Sequence, residues 1–259
     1  MKKVLDIRDL SFVVADKQIL KGVCWQVQKG ERWALLGANG AGKTSLLSTI
    51  CGYNTPSCGT MSVDGKTYSE YDWQKVRERI AIVSSQLNRQ IGPTETVLET
   101  VVSGAYAMLN FWGDASAEVC RRALRKMSEL EIGHLAPSLW GRISQGERQK
   151  VLIARALMVR PAVIFLDEPC TGLDPVARDR FVAFMDSVSS SGKIPAVVLA
   201  THHVEEIPPS FTHAIVLKGG TVLKSGEIGS VVASDTLSEA YGAKCRVSRR
   251  GGRFSLRVC

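Results

Sequence analysis

The stretch Gly37-Ala38-Asn39-Gly40-Ala41-Gly42-Lys43-Thr44 constrains this chain more than any other. It matches the pattern G-x-x-x-x-G-K-[ST] at every fixed position, and that pattern needs a strand before it and a helix after it. The flanks supply both. Trp33-Ala34-Leu35-Leu36 reads as a short buried strand, and Ser45-Leu46-Leu47-Ser48-Thr49-Ile50 as a helix start. The glycines let the backbone curl so that successive N–H groups point at a phosphate, and the helix N-terminus adds the positive end of its dipole. Lys43 brings a compact charge to the outer phosphates, Thr44 a hydroxyl for Mg²⁺, and Ser45 the next position of the first helical turn.

A second element completes such a site. Val163-Ile164-Phe165-Leu166 is an apolar run that ends in Asp167-Glu168. A buried strand that ends in carboxylates places Asp167 at the carboxyl edge of a sheet, beside the phosphate loop. Asp167 can then hold the Mg²⁺ shell, and Glu168 can take a proton from an attacking water.

Composition excludes other classes. The 259 residues are 45% hydrophobic and 22% charged, which suits a globular protein with a sizeable core. Apolar runs fall short of the roughly 20 residues that span a bilayer. The chain opens directly on strand pattern after Met1-Lys2-Lys3, so no signal peptide is expected. Seven scattered cysteines without a C-x-x-C pair read as reduced thiols. Net charge is +8, and five of those charges are the arginines of residues 245–259, where no acid occurs. The body is only mildly basic and does not advertise a nucleic-acid surface.

The order of elements follows from periodicity. Residues 4–36 alternate apolar and polar, with turn signals at Ala15-Asp16-Lys17 and Gln28-Lys29-Gly30. A strand over Gly59–Val63, a turn at Asp64-Gly65, a short helix near 72–78 and a strand over Ile80–Val83 come next. Residues 95–159 lose strand character, with helical spacing over Ala117–Leu130 and Gln145–Val159. Strand signals return at Ala162–Leu166 and Ala196–Leu199, with a helix from Pro175 to Val188 between them. The expected units are an α/β core (1–90 and 160–230), an inserted helical block (91–159), and a terminal helix and hairpin (231–259). In that hairpin Gly251-Gly252 forms the turn, Val247 opposes Leu256 and Cys245 opposes Val258. Arg246, Ser248, Arg250, Arg253, Ser255 and Arg257 fall on the other face, which is expected to be solvated or to meet anionic lipid or an acidic partner.

With these motifs in one order, residues 1–230 resemble the ATPase subunits of ATP-binding-cassette transporters. Ile143-Ser144-Gln145-Gly146-Glu147-Arg148-Gln149 is similar to the family's Leu-Ser-Gly-Gly-Gln signature. Ser144 and Gly146 match, while Gln145 and Glu147 replace glycine and glutamine. Ser144 and Gly146 also open a helix, an anion-binding position. The resemblance implies that this signature completes the ATP pocket of a second subunit, so two chains sandwich two nucleotides. It further implies that Gln86 senses Mg²⁺, that Thr171-Gly172-Leu173-Asp174 crosses the dimer interface, and that His202 touches the terminal phosphate. His203 reads as a surface neighbour. Where the family stacks an aromatic ring on adenine, this chain has Val14, with Phe12 on the same strand face.

The fold implied is α/β: a P-loop NTPase core with an N-terminal antiparallel β subdomain and an inserted helical subdomain. The ligands implied are ATP and Mg²⁺. The partners implied are a second copy or a second cassette subunit, and separate transmembrane permease subunits. The chain would sit peripherally on the cytoplasmic face of the inner membrane, without contact to nucleic acid. Runs near 200–209 and 237–242 are similar to a bacterial molybdenum-type and metal-chelate branch. The other function the sequence admits is a cassette ATPase that acts as a mechanical switch on nucleic acid or another protein.

Overall fold

The computed structural model describes residues 2–111, 113–192 and 194–259, with the side chains of Gln74, Ser85 and Gln86 outside the described set. Strands β1 (Lys3–Val14) and β2 (Lys17–Gln28) form a long antiparallel hairpin. Its turn residues Ala15 and Asp16 both take positive φ, the backbone that a tight two-residue hairpin requires. Strand β3 (Arg32–Leu36) runs into the glycine loop and helix α1 (Lys43–Ile50). Strands β4 (Cys58–Val63) and β5 (Lys66–Thr67) follow, then α2 (Trp73–Arg77), β6 (Ile80–Ser84) and α3 (Ser85–Asn88).

Helices fill the next stretch: α4 (Val97–Ser103), α5 (Ala117–Glu129) and α6 (Gln145–Ala156). Each has a side-chain cap, from Thr96, Ser116 and Ser144 in turn. The chain returns through β7 (Val163–Asp167), α7 (Pro175–Ser190) and β8 (Val197–Thr201). It closes with β9 (His213–Lys218), β10 (Thr221–Glu227), α8 (Ile228–Val231), α9 (Ser234–Tyr241), β11 (Cys245–Arg250) and β12 (Arg253–Val258).

Among the described residues the strands form three sheets. The central one has the order β10-β9-β3-β8-β7-β6, parallel except for the β9–β10 pair. An antiparallel sheet of order β2-β1-β4-β5 covers one of its faces, and β11–β12 stand apart as a hairpin. The central strands bury both faces, as parallel sheets do. Trp33, Leu35, Phe165, Val198 and Leu217 pack toward α1 and the antiparallel sheet. Ala34, Leu36, Leu166, Leu199 and Val216 pack toward α4, α6 and α7. This is the expected α/β architecture with an antiparallel companion sheet and a helical stretch.

Two features differ from the sequence-based expectations. Strands β9 and β10 lie in a stretch with no assigned element, although Ala214-Ile215-Val216-Leu217 and the turn Gly219-Gly220 carry a hairpin signal. The terminal hairpin has the expected register, Val247 against Leu256 and Cys245 against Val258. Its arginine face, however, is not left wholly to solvent. Arg253 Nη2 lies 3.0 Å from Asp179 Oδ1 on α7 and donates to the Glu205 carbonyl at 3.0 Å. Phe254 is buried, and the Arg249 guanidinium lies 4.8 Å from its ring centre. Period-two alternation puts Phe254 with Leu256, and α7 supplies the acid that the hairpin lacks.

Candidate functional site

The glycine loop joins the carboxyl end of β3 to the N-terminus of α1, where Gly42 is the N-cap. Its conformation is reserved for glycine at two points. A Cβ on Gly37 would lie 2.5 Å from the Leu217 carbonyl oxygen, and Gly42, at φ 106°, sits against Leu20. The cradle is thus held against β9 and β2 by backbone approach that a side chain would block. Ala38, Asn39, Gly40 and Ala41 form the curl, and Thr44 and Ser45 follow on α1. Lys43 is buried and reaches back, donating from Nζ to the Gly37 carbonyl at 2.8 Å and the Ala38 carbonyl at 3.3 Å.

Strand β7 delivers the two carboxylates alongside. Asp167 is buried, and burial holds its carboxyl above the usual carboxylate range. Thr44 Oγ1 donates to Asp167 Oδ1 at 3.3 Å. A hydroxyl and a carboxylate side by side are hard oxygen donors, and they suit Mg²⁺, which keeps waters and phosphate oxygens for its other positions. Among the described residues no group of three or more His, Cys, Asp and Glu gathers as an all-protein metal cage. The donor set of Thr44 and Asp167 and the glycine cradle beside it fit a magnesium–nucleotide pair.

Glu168 leaves the strand in a left-handed conformation, φ 49°, which is uncommon for a residue with a side chain and is concentrated at functional sites. Its N–H donates to the Ala200 carbonyl at 2.9 Å. The carboxylate lies 3.4 Å from Lys43 Nζ and 3.0 Å from His202 Nδ1. His202 follows β8, half-buried, and His203 beside it is exposed. Lys43, Thr44, Ser45, Glu168, Thr171 and His202 share one cleft of about 530 Å³.

Other candidates lie elsewhere. Ser144 is exposed and caps α6 in a reciprocal box: its N–H and hydroxyl donate to Glu147 Oε2 at 2.8 and 2.7 Å, and its oxygen accepts from the Glu147 N–H. Gly146 sits in the first turn of that helix with open space where a Cβ would be. Asp174, also exposed, caps α7 by accepting from the Val176 and Ala177 N–H groups at 2.9 Å. Ser144, Gly146 and Asp174 are not among the residues that line the cleft. Gln86 falls in α3, and its side chain lies outside the described residues. Phe12 packs against the core under the antiparallel sheet, and Val14 is exposed. The cleft wall on that side is Lys17 and Ile19 of β2, which sequence reasoning passed over. The pairing of Val14 with Lys17 across the turn is the signal that would have found them.

A second cleft of about 640 Å³ opens between α1 and β6 on one side and residues 104–109 and 155–159 on the other. Thr44 and Asp167 also line it. Tyr53, Arg77 and Arg155 line it.

Comparison with known proteins agrees with this arrangement. Residues 20–171 match the model of the ABC transporter family. The chain is 36% identical over 245 residues to the uncharacterised ABC transporter ATP-binding protein YlmA of Bacillus subtilis (strain 168), covering 94% of this chain and 93% of that one. It superposes with TM-score 0.79 and 27% identity on CbiO1 of Clostridium perfringens, part of the ABC transporter complex CbiONQ, covering 92% and 94% of the two chains. The dimeric cassette MJ0796 in a post-hydrolysis state bound to ADP and Pi superposes with TM-score 0.72 at 25% identity, covering 86% and 98%.

Proposed function

Because the chain belongs to the ABC transporter family of ATP-binding proteins, we propose a specific division of labour among its residues. It is an ATP-binding and ATP-hydrolysing subunit that powers transport, rather than a switch acting on nucleic acid. Residues 37–45 cradle the phosphates through backbone N–H groups, and Lys43 turns from the loop carbonyls to the outer phosphates. Thr44 and Asp167 hold Mg²⁺, with Gln86 as a further ligand. The ion, when bound, neutralises charge on the phosphate oxygens.

Glu168 accepts the proton of the attacking water, and His202 orients that carboxylate and meets the terminal phosphate. Ser144, Gly146 and Asp174 serve the cleft of a second copy or of a second cassette subunit. The exposure of Ser144 and Asp174, and the absence of all three from the lining of this chain's own cleft, support that reading. The two stretches of α/β core, 1–90 and 160–230, carry the phosphate machinery, 91–159 carries the signature, and 231–259 forms a terminal unit.

Among the described residues no helix is long and apolar enough to cross a membrane. On the reading that the family supports, the solute passes through separate membrane subunits, with this chain docked at their cytoplasmic face. The cleft beside Tyr53, Arg77 and Arg155, lined also by Gln90, Gly104 and Leu109, is the surface that faces them. The observation that carries the proposal is the meeting of Lys43, Glu168 and His202 within 3.4 Å at the loop mouth. Steady-state ATPase and nucleotide binding of Glu168→Gln and His202→Ala test it. Both should bind ATP and lose turnover, and normal turnover in either would remove that residue from the assignment.

A further inference from the structure

The loop that carries His202 is held by the C-terminal unit of the chain. The Tyr241 hydroxyl, at the end of α9, donates to the His202 backbone carbonyl at 2.9 Å. Burial pushes the Tyr241 phenol up to about 12, so the hydroxyl keeps its proton and stays a donor near neutral pH. Two residues beyond His203, Glu205 Oε1 accepts the Leu256 N–H of β12 at 2.9 Å, and the Glu205 carbonyl accepts from Arg253. Arg253 is in turn tied to Asp179 on α7, the helix that Asp174 caps. From the core side, Thr201 Oγ1 donates to the buried Glu206 carboxylate and accepts the His203 N–H at 3.0 Å. The segment from Thr201 to Glu206 is thus gripped by β8 at one end and by α9 and β12 over the rest.

We propose that α9, β11 and β12 form a strap that sets the position of the His202 loop, and that Tyr241 is the positioning residue for His202. The physical reason is lever length. The His202 ring projects from a backbone fixed at its carbonyl, and both Glu168 oxygens lie 3.0 Å from Nδ1. An imidazole–carboxylate contact of that length weakens steeply with a small displacement, and a loop without an anchor at residue 202 samples such displacements. Tyr241 does not enter the cleft. Its contribution passes through the His202 backbone, and through Arg253 the same strap touches α7, the helix that Asp174 caps.

The inference rests on His202 acting in turnover, and the experiment separates the two. Tyr241→Phe keeps the ring and removes only the hydroxyl. It should lower kcat about three- to tenfold while the KM for ATP stays within about twofold, because the loop is a turnover element and the phosphate cradle is untouched. Amide exchange over residues 202–206 should quicken in the same variant. Glu205→Ala, which frees the Leu256 N–H, should repeat both effects. A wild-type kcat in Tyr241→Phe alongside an inactive His202→Ala overturns the strap alone. Wild-type turnover in His202→Ala overturns the strap together with the role of His202. A rise in KM that matches the fall in kcat would mark Tyr241 as a packing residue and also overturn the strap.

Discussion

Both carboxylate oxygens of Glu168 lie 3.0 Å from Nδ1 of His202, 34 residues further along the chain. The contact links the end of β7 to the end of β8, adjacent parallel strands of the central sheet. Glu168 also lies 3.4 Å from Lys43. One carboxylate is therefore placed between the Lys43 ammonium and an imidazole, the placement on which the proposed role of Glu168 rests.

Glu168→Gln should bind ATP at close to wild-type affinity and lose turnover by at least about a hundredfold, because the amide cannot accept a proton. ATP should then hold two copies together, since hydrolysis is what releases them. Size-exclusion chromatography with light scattering, with and without ATP, reads this directly. A variant that hydrolyses ATP at the wild-type rate would strip Glu168 of its role.

Lys43→Ala and Ser144→Arg should fail differently. Removing Lys43 takes a full charge from the cradle and should weaken nucleotide binding by an order of magnitude or more. Ser144 is exposed and away from the cleft, so Ser144→Arg should leave binding by the monomer intact and block association by bulk. Equilibrium nucleotide binding and ATP-dependent mass distinguish the two variants. Persistent ATP-driven association of Ser144→Arg would rule out the composite site.

The capping boxes of α4 and α6 give a pH dependence with a definite sign. The Thr96 N–H and hydroxyl donate to Glu99, and the Ser144 hydroxyl and N–H to Glu147, and each carboxyl is held below its usual 4.5. A depressed folded pKa stabilises the folded state above the unfolded value and loses that contribution as pH falls through the folded one. Both glutamates are largely solvated, so the effect is modest. Protection of the first-turn amides of α4 and α6, taken relative to intrinsic exchange at each pH, should fall as pH drops below 4.5, and Glu99→Gln or Glu147→Gln should flatten the fall at its own helix. Equal pH sensitivity in the variants would deny the link.

Much of the architecture was legible because its signals are local. Residues 37–44 are contiguous, and Asp167 and Glu168 end a run whose apolarity marks it as a buried strand. The start of α6 is marked locally by Ser144 and Gly146, while the reciprocal box between Ser144 and Glu147 is seen only in the structure. Strands β9 and β10 carry a weaker signal, since β10 is short of apolar residues, although the turn Gly219-Gly220 between them is local. The link from Tyr241 to the His202 carbonyl was out of reach for a different reason. It joins residues 39 apart through a backbone atom, and no side-chain pattern encodes a carbonyl's partner. Counting along β1 points to Val14 and Phe12, whereas the hairpin residues that line the cleft are Lys17 and Ile19 of β2.

The terminal hairpin should matter to stability as well as to surface charge. Phe254 and Cys245 are buried, Val247 and Leu256 pack on the core, and Arg253 is paired with Asp179. Deleting residues 245–259 exposes that apolar contact and frees Glu205 from Leu256, so the truncated chain should unfold at a lower temperature and lose turnover. Phe254→Ala isolates the packing term. Large-to-small changes at buried aromatics cost about 3–5 kcal/mol, and the lower end suits a site near the surface. Arg246, Arg250 and Arg257 are exposed, and their combined replacement by serine should leave the melting temperature within a few degrees while weakening any low-salt binding to anionic vesicles. Thermal denaturation of the three proteins side by side decides the matter. A deletion variant as stable as the full chain would show that the hairpin only rests on the core, and its role would then lie in the exposed arginines.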